Sequence, residues 1–299
     1  MTPPRSSAAT LITSALLRRW PLPKVHPKLG KEGRGDVLVF GGSTEIPGAV
    51  MLGALGALRA GAGRLQIATA RSAAIHVAVA VPEARVIGLP TTRQGELSPD
   101  SHRLLAKEME AANALLVGPG MCDERAAIEL IRRRSHAVRA TLVLDAAALR
   151  LFAKRKPLAR GYAGDVIATP HAGEMADLWD CSRDEVLAQP LQIAREAAAR
   201  LNVVVALKGA HTFVVAPDGS AYRNTAGNVG LGTSGSGDTL SGIIAGLSAR
   251  GAEPLQAAVW GVYLHAKAGE RLARRVGALG YLARELLAEI PGLLVNVGR

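Results

Sequence analysis

The residues best suited to chemistry stand in one run, Gly232-Thr233-Ser234-Gly235-Ser236-Gly237-Asp238-Thr239. It leads straight into apolar residues at helical spacing, Leu240, Ile243, Ile244 and Leu247. Glycines let the main chain approach a ligand closely and adopt dihedrals that other residues avoid. The free N–H groups that open a helix bind anions, and the helix dipole adds to the attraction. A bound phosphate, or charge developing during its transfer, is stabilised by such a loop. Asp238 sits where the helix begins. Aspartate caps helices well, but Ser234, Ser236 or Thr239 could do that without placing negative charge beside a phosphate site. A carboxylate there makes chemical sense as the base that takes a proton from a hydroxyl attacking phosphorus.

Such a loop needs a scaffold, and the chain supplies an alternating one. Short apolar runs at 37–40, 65–68, 84–89, 114–117, 141–144, 165–168 and 203–207 read as strands. Helical patterns are expected at 49–60, from about 121 to 134, and at 238–250, 254–275 and 281–289. The runs 213–215 and 221–223 flank Pro217-Asp218-Gly219-Ser220 and read as a hairpin. Continuous apolar strands between helices predict a mainly parallel sheet covered on both faces, a three-layer α/β/α domain. Sites in such folds lie outside the carboxyl ends of the strands. Several of these strands end in Gly, Asp, Pro-His or Lys-Gly, so polar and flexible residues collect on one rim.

Composition sets the limits. Of 299 residues, 48% are hydrophobic and 20% charged, which suits a folded chain with a sizeable core. No apolar run approaches a bilayer span, so no membrane helix is expected. Two cysteines, Cys122 and Cys181, exclude a disulfide framework and fit a reducing compartment such as the cytoplasm. Lys and Arg outnumber Asp and Glu by 36 to 25, a net charge of +11. Aromatics are only 3% and no nucleic-acid-binding module is visible, so no nucleic-acid partner is expected. A positive field that attracts a phosphorylated small molecule accounts for the charge. Residues 1–30 are basic and have no acid before Glu32. They read as a transit peptide or as an N-terminal arm leading into a domain at 31–299, and we take the arm.

The octapeptide resembles the anion-hole motif of the ribokinase-like superfamily, in which the aspartate is the catalytic base. Thr169-Pro170-His171-Ala172-Gly173-Glu174 stands where vitamin kinases of that superfamily have Thr-Pro-Asn-x-x-Glu. Here His replaces Asn, and a Gly precedes the Glu. Further motifs follow in one order: Gly41-Gly42-Ser43, Pro47-Gly48-Ala49, Arg59-Ala60-Gly61-Ala62-Gly63, Val117-Gly118-Pro119-Gly120, Leu207-Lys208-Gly209 and Gly227-Asn228. Together they resemble the ADP-dependent NAD(P)H-hydrate dehydratase family from about residue 30 to residue 291. That resemblance implies repair of NADH or NADPH that has gained water across a ring double bond. The hydroxyl is phosphorylated by ADP, and phosphate then leaves, with AMP and phosphate as by-products. Phosphate departs far more readily than hydroxide, so one base and one anion hole suffice.

The resemblance also implies roles. Asp238 is the base and contacts substrate, and the amides of Gly235, Ser236 and Gly237 hold the phosphoryl group. Lys208, Gly209, Ala210, His211, Thr212 and Gly237 contact nucleotide, with Lys208 as the phosphate partner rather than a plain surface lysine. Ala49, Gly120 and His171 contact substrate, although a lone histidine is often only a structural hydrogen-bonder. Glu174 steers Mg2+ through water or serves as a carboxylate at a helix start. Asp145 ends a strand on the same rim, where aspartates often tie a loop, and is not counted in the site. Either ADP or ATP fits as donor, and a homo-oligomer, a tetramer, is implied.

Two departures stand out. Asn228-Val229-Gly230 lacks the proline of the family's Gly-Asn-Pro-Gly, which is expected to loosen that turn. Only about 30 residues precede the match, so the epimerase activity of bifunctional members is expected to be absent. The competing readings are an ATP-dependent vitamin-precursor kinase of the same superfamily and an inactive nucleotide-binding protein.

Overall fold

The computed structural model describes residues 8–24, 30–134, 136–152 and 162–298. The strands among them are β1 (Thr10–Leu11), β2 (Asp36–Phe40), β3 (Arg64–Ala70), β4 (Arg85–Leu89), β5 (Ala114–Val117), β6 (Thr141–Leu144), β7 (Val166–Ala168), β8 (Val204–Leu207), β9 (Thr212–Val215) and β10 (Ala221–Asn224). They form one sheet in the order β1-β10-β9-β8-β7-β6-β5-β2-β3-β4. Every pairing in it is parallel except those of β9, which runs against both β8 and β10. The expected hairpin is therefore present, and the expected parallel sheet surrounds it.

The helices are α1 (Ser14–Arg19), α2 (Gly48–Arg59), α3 (Arg71–Ala80), α4 (Ala106–Ala111), α5 (Arg125–Arg134), α6 (Ala172–Trp179), α7 (Arg183–Ala188), α8 (Pro190–Leu201), α9 (Ser236–Ala249), α10 (Pro254–Arg275) and α11 (Ala283–Gly298). Every residue of β2 is buried because alternate side chains enter different cores. Leu38 and Phe40 pack with residues of α5, α6 and α8, whereas Val37 and Val39 pack with residues of α2, α9, α10 and α11. This is the three-layer arrangement expected from the sequence.

The sequence drew no helices at α3, α4, α6, α7 and α8. α4 and α7 have only six residues each, and the buried side of α8 is mostly Ala194, Ala197 and Ala198, so the hydrophobic period is faint. The last helix runs to Gly298 instead of stopping near 289, and it passes through Pro291.

β2 lies between β3 and β5, where the strand order changes direction. That change opens a crevice at the carboxyl ends, between the loops after Phe40 and Val117. The loops are stitched together: Gly42 N–H donates to Pro119 O at 2.7 Å and Ser43 N–H to Gly120 O at 3.0 Å. Behind the crevice, α2 and α9 meet main chain to main chain. A Cβ on Gly242 would collide with Gly53 O, one on Gly246 with Ala57 O, and one on Gly56 would lie 2.9 Å from Thr239 O.

The described part of the N-terminal arm is built into the fold. β1 adds to the sheet beside β10, Leu17 is fully buried, and the Trp20 ring stacks on Tyr222 at 5.7 Å. Trp260 Nε1–H donates to Trp20 O at 2.9 Å, and Gln256 donates to Trp20 O and Pro21 O. Residues 1–7 and 25–29 of the expected arm lie outside the described residues. Among the described residues, no helix is long and apolar enough to cross a membrane. On α5, Arg132 and Arg133 are exposed and both pair with Glu129.

Candidate active site

α9 opens at Gly235, whose φ of 83° lies in the left-handed region that glycine adopts without strain. A side chain there would also strike Leu52 of α2. Within this turn, Thr239 N–H donates to Gly235 O at 3.0 Å. The Ser236 N–H is already directed to Thr233 O at 3.2 Å. Of the three amides expected to form the cradle, that of Ser236 thus already has one acceptor within the turn. Within residues 235–238, the amides of Gly235, Gly237 and Asp238 make no main-chain hydrogen bond.

Asp238 follows in the first turn of α9. Its carboxyl is pushed up to about 7, chiefly by burial and next by the charge of Asp145, with Lys208 pulling the other way. A carboxylate poised near neutrality is matched to general-base work. A plain helix cap would be held low by the dipole instead.

Asp145 follows β6 and is 3% exposed. Lys208 follows β8 and donates from Nζ to Asp145 Oδ1 at 3.0 Å, with Glu174 Oε2 at 3.8 Å. The Thr169 hydroxyl lies 2.9 Å from Asp145 Oδ1. Burial works against charge on Asp145, but Lys208 and these hydrogen bonds outweigh it and hold the carboxyl below its usual range. Burial likewise works against charge on Lys208, and Asp145 and Glu174 outweigh it, so the ammonium persists. A Cβ on Gly237 would lie 3.2 Å from Lys208 Nζ. The structure therefore gathers Asp145, Glu174, Lys208, Gly237 and Asp238 at one spot on the rim.

His171 is exposed and caps α6: its Nδ1 accepts from Gly173 N–H at 3.0 Å and Glu174 N–H at 3.1 Å. Glu174 Oε2 accepts from His171 N–H at 2.8 Å, completing a reciprocal capping box. The glycine that departs from the family pattern has a physical reason, since a Cβ on Gly173 would lie 3.0 Å from His171 Cε1. Lys208 N–H donates to Pro170 O at 2.8 Å, which brings His171 beside the β8–β9 turn. That turn, Lys208-Gly209-Ala210-His211-Thr212, exposes Gly209, Ala210 and His211 at the mouth of the site.

On the crevice side, a Cβ on Gly120 would lie 3.0 Å from Ala49 Cβ and 3.2 Å from Gly42 Cα. Ala49 and Gly120 are thus neighbours, as a shared substrate contact requires. One turn further along α2, a Cβ on Gly53 would lie 3.4 Å from Asp238 O, so this crevice adjoins Asp238. On the far side of Glu174, a cavity of about 170 Å³ is floored by Met121, Ala146 and Leu178. Ala146 carries φ 48°, strained for a residue with a side chain, directly after Asp145.

The turn expected to be loose without proline is held another way. Asn228 Oδ1 accepts from Gly230 N–H at 2.9 Å and from the Tyr281 hydroxyl at 2.8 Å. Sequence reasoning set aside Asp145, whose partner lies 63 residues on. It also passed over His265 of α10, which meets Ser236 from behind the loop.

Comparison with known proteins agrees with this geometry. The chain matches the model of the NAD(P)H-hydrate dehydratase family over residues 37–292. It is 48% identical, over the whole of both chains, to an ADP-dependent (S)-NAD(P)H-hydrate dehydratase of Xanthomonas campestris. It is 37% identical to a bifunctional NAD(P)H-hydrate repair enzyme of Moorella thermoacetica, over 96% of this chain and 54% of that one. It therefore spans about half the length of that bifunctional relative. Among solved structures it resembles the ADP/ATP-dependent NAD(P)H-hydrate dehydratase of Bacillus subtilis, co-crystallised with ATP and Mg2+, with a TM-score of 0.84 and 29% identity over 98% of this chain and 100% of that one. The fold is that of the ribokinase-like proteins. The family model covers most of the chain and the Xanthomonas relative is nearly half identical from end to end, and the chain belongs to the NAD(P)H-hydrate dehydratase family.

Proposed function

We propose that this protein catalyses the ADP-dependent dehydration of (6S)-hydrated NADH and NADPH, restoring the reduced cofactor and releasing AMP and phosphate. The observation that carries the reading is Asp238: a carboxyl raised to about 7 in the first turn of α9, beside the open amides of Gly235 and Gly237. Asp238 takes the proton of the ring hydroxyl, whose oxygen forms a bond to the β-phosphorus of ADP as the bond to AMP breaks. The Gly235 and Gly237 amides and Lys208 hold the charge that builds on the phosphoryl oxygens. The lone pair of the ring nitrogen then expels phosphate, and a proton leaves the adjacent ring carbon to restore the double bond.

Lys208, Gly209, Ala210, His211 and Thr212 contact the nucleotide, and Ala49, Gly120 and His171 contact the substrate. Mg2+ fits the donor set as an ion carried by phosphate. Among the described residues no three His, Cys, Asp or Glu side chains are placed to hold a metal ion by themselves. Mg2+ keeps most of its waters and needs only one or two carboxylates besides phosphate oxygens. Glu174 would hold it through water, and the ion would supply neutralisation of phosphate charge. The basic surface serves these anions rather than nucleic acid. The two-cysteine composition supports a cytoplasmic setting. Assembly as a homo-oligomer, a tetramer, is supported by the family resemblance and is checked by light scattering.

The deciding experiment incubates the protein with hydrated NADH, Mg2+ and ADP, and follows the absorbance of reduced nicotinamide together with AMP. Recovery of the absorbance with one AMP per turnover is expected. A stable phosphoester with no recovered absorbance would instead identify a small-molecule kinase.

A further inference from the structure

α10 carries a buried histidine that the chemistry above does not use. His265 lies in the middle of this 22-residue helix, between the buried Leu264 and Ala266, and its Nε2 is 3.0 Å from the hydroxyl of Ser236. Both side chains are enclosed. Burial lowers the imidazole to about 4, a backbone hydrogen bond at Ser236 works the other way, and the Lys208 charge adds to the fall. The ring is neutral at physiological pH and places no charge behind the phosphoryl site.

The position of Ser236 gives this contact its meaning. Ser236 is the first residue of α9, set between Gly235 and Gly237, whose amides make no main-chain hydrogen bond. Glycine supplies no side chain to anchor a turn, so the loop that needs glycines for close approach must be fixed through its remaining residues. From within, the turn is tied by Ser236 N–H to Thr233 O and by Thr239 to Gly235 O. Those bonds set its shape but not its orientation toward the rim. Apolar packing tolerates small rotations, whereas a hydrogen bond to a buried ring is directional.

We infer that His265 is a positioning residue for the anion hole: through its hydrogen bond to Ser236 it fixes the rotation of the first turn of α9 and aims the Gly235 and Gly237 amides at the transferring phosphoryl group. The inference builds on the proposed dehydration. It goes further in placing part of the control of transfer on α10, behind the loop and out of contact with either substrate.

The test compares Ser236→Ala, His265→Gln, His265→Leu and the Ser236→Ala/His265→Leu double variant in ADP-dependent dehydration of hydrated NADH. Gln can place a polar atom near the Nε2 position, and Leu cannot. Losing one hydrogen-bond donor of such a hole costs roughly 100-fold or more in kcat, so misaiming it is expected to cost about tenfold. Ser236→Ala and His265→Leu should each lose about tenfold in kcat, with the KM for ADP changed less than about threefold. The double variant should be no worse than the poorer single one, because both remove the same bond. His265→Gln should recover most of the loss. A structural defect alone would lower the melting temperature without this split between kcat and KM and without rescue by Gln.

Multiplying losses in the double variant, or unchanged kcat in Ser236→Ala, would overturn the assignment. If His265→Leu fails to fold, Ser236→Ala and His265→Gln decide it. The amide resonances of Gly235 and Gly237 in 15N-labelled protein give a reading without turnover. They should shift in Ser236→Ala and return toward wild type in His265→Gln, and unmoved resonances would overturn the inference. An inactive wild-type protein would overturn the proposed reaction instead, leaving the resonances to judge the positioning role separately.

Discussion

The Lys208 ammonium is pinned to the buried Asp145 carboxylate at 3.0 Å, and the pair stands beside Asp238 and shifts it in opposite senses. Asp145 raises the Asp238 carboxyl by repulsion, and Lys208 lowers it by attraction. Burial of Asp238 is the larger cause, and the balance leaves it near 7. One ion pair thus acts on the Asp238 carboxyl in both senses.

The base must be ionised to work, so kcat/KM should rise with pH through a limb near 7. Asp145→Asn removes repulsion and should move that limb to lower pH. Lys208→Ala removes attraction and should move it to higher pH, while weakening ADP binding more than substrate binding. Full pH–rate profiles check both signs. Limbs that move together, or equal losses of affinity for the two substrates, would contradict the arrangement.

Asp238→Asn should abolish turnover, by at least about 1,000-fold, while nucleotide still binds. The same variant should gain stability. A carboxyl raised from 3.8 to about 7 makes the native state bind the proton more tightly than the unfolded chain does. The wild-type contribution is therefore complete below about pH 4 and is lost as pH climbs through 7. Asn, uncharged throughout, should match wild type near pH 4 and exceed it by about 2 kcal/mol at pH 8. Thermal melts at the two pH values test this, and equal melting temperatures at pH 8 would show that the raised carboxyl costs nothing.

Gly242→Ala should push α9 away from α2, because its methyl group has only the Gly53 carbonyl to enter. Overpacking of this kind costs about 1–3 kcal/mol. The shift is carried to the first turn of α9, so kcat should fall even though residue 242 touches no reactant. Ala at Gly251, where a Cβ meets nothing but φ is 90°, should cost stability without affecting kcat.

Leu17→Ala should destabilise the protein by about 2–5 kcal/mol and leave kcat and KM unchanged. The residue is fully buried in the core that holds α9 and α10. Denaturant melts with matched kinetics check it. A melt identical to wild type would mean that this N-terminal segment contributes nothing to the fold.

What the sequence made legible was local. The octapeptide carries its own grammar, with glycines where the main chain must bend and a carboxylate at the helix start, and the structure seats it as expected. Ala49 and Gly120 also meet. Hidden residues depend on distant partners. Asp145 reads as an ordinary strand end until Lys208 arrives 63 residues later. His265 is one polar residue in an apolar helix until Ser236, 29 residues away, is placed against it. The segment Thr10–Leu11 has too few residues to declare itself a strand, and its partner β10 lies some 200 residues on. For Glu174 the sequence leaves open a metal role or a helix-start carboxylate, and for His171 a substrate contact or a structural hydrogen bond; the capping box shows the structural half of each pair.

The glycine contact between α2 and α9 has a consequence for how reactants enter. Because Gly242 and Gly246 rest directly on the main chain of α2, the wall bearing Ala49 and the wall bearing Asp238 have little room to slide past one another, and they behave as a single jaw. Admission of the bulky dinucleotide and release of AMP must then fall to the thin turns at the mouth, above all the exposed bend at residues 209–211.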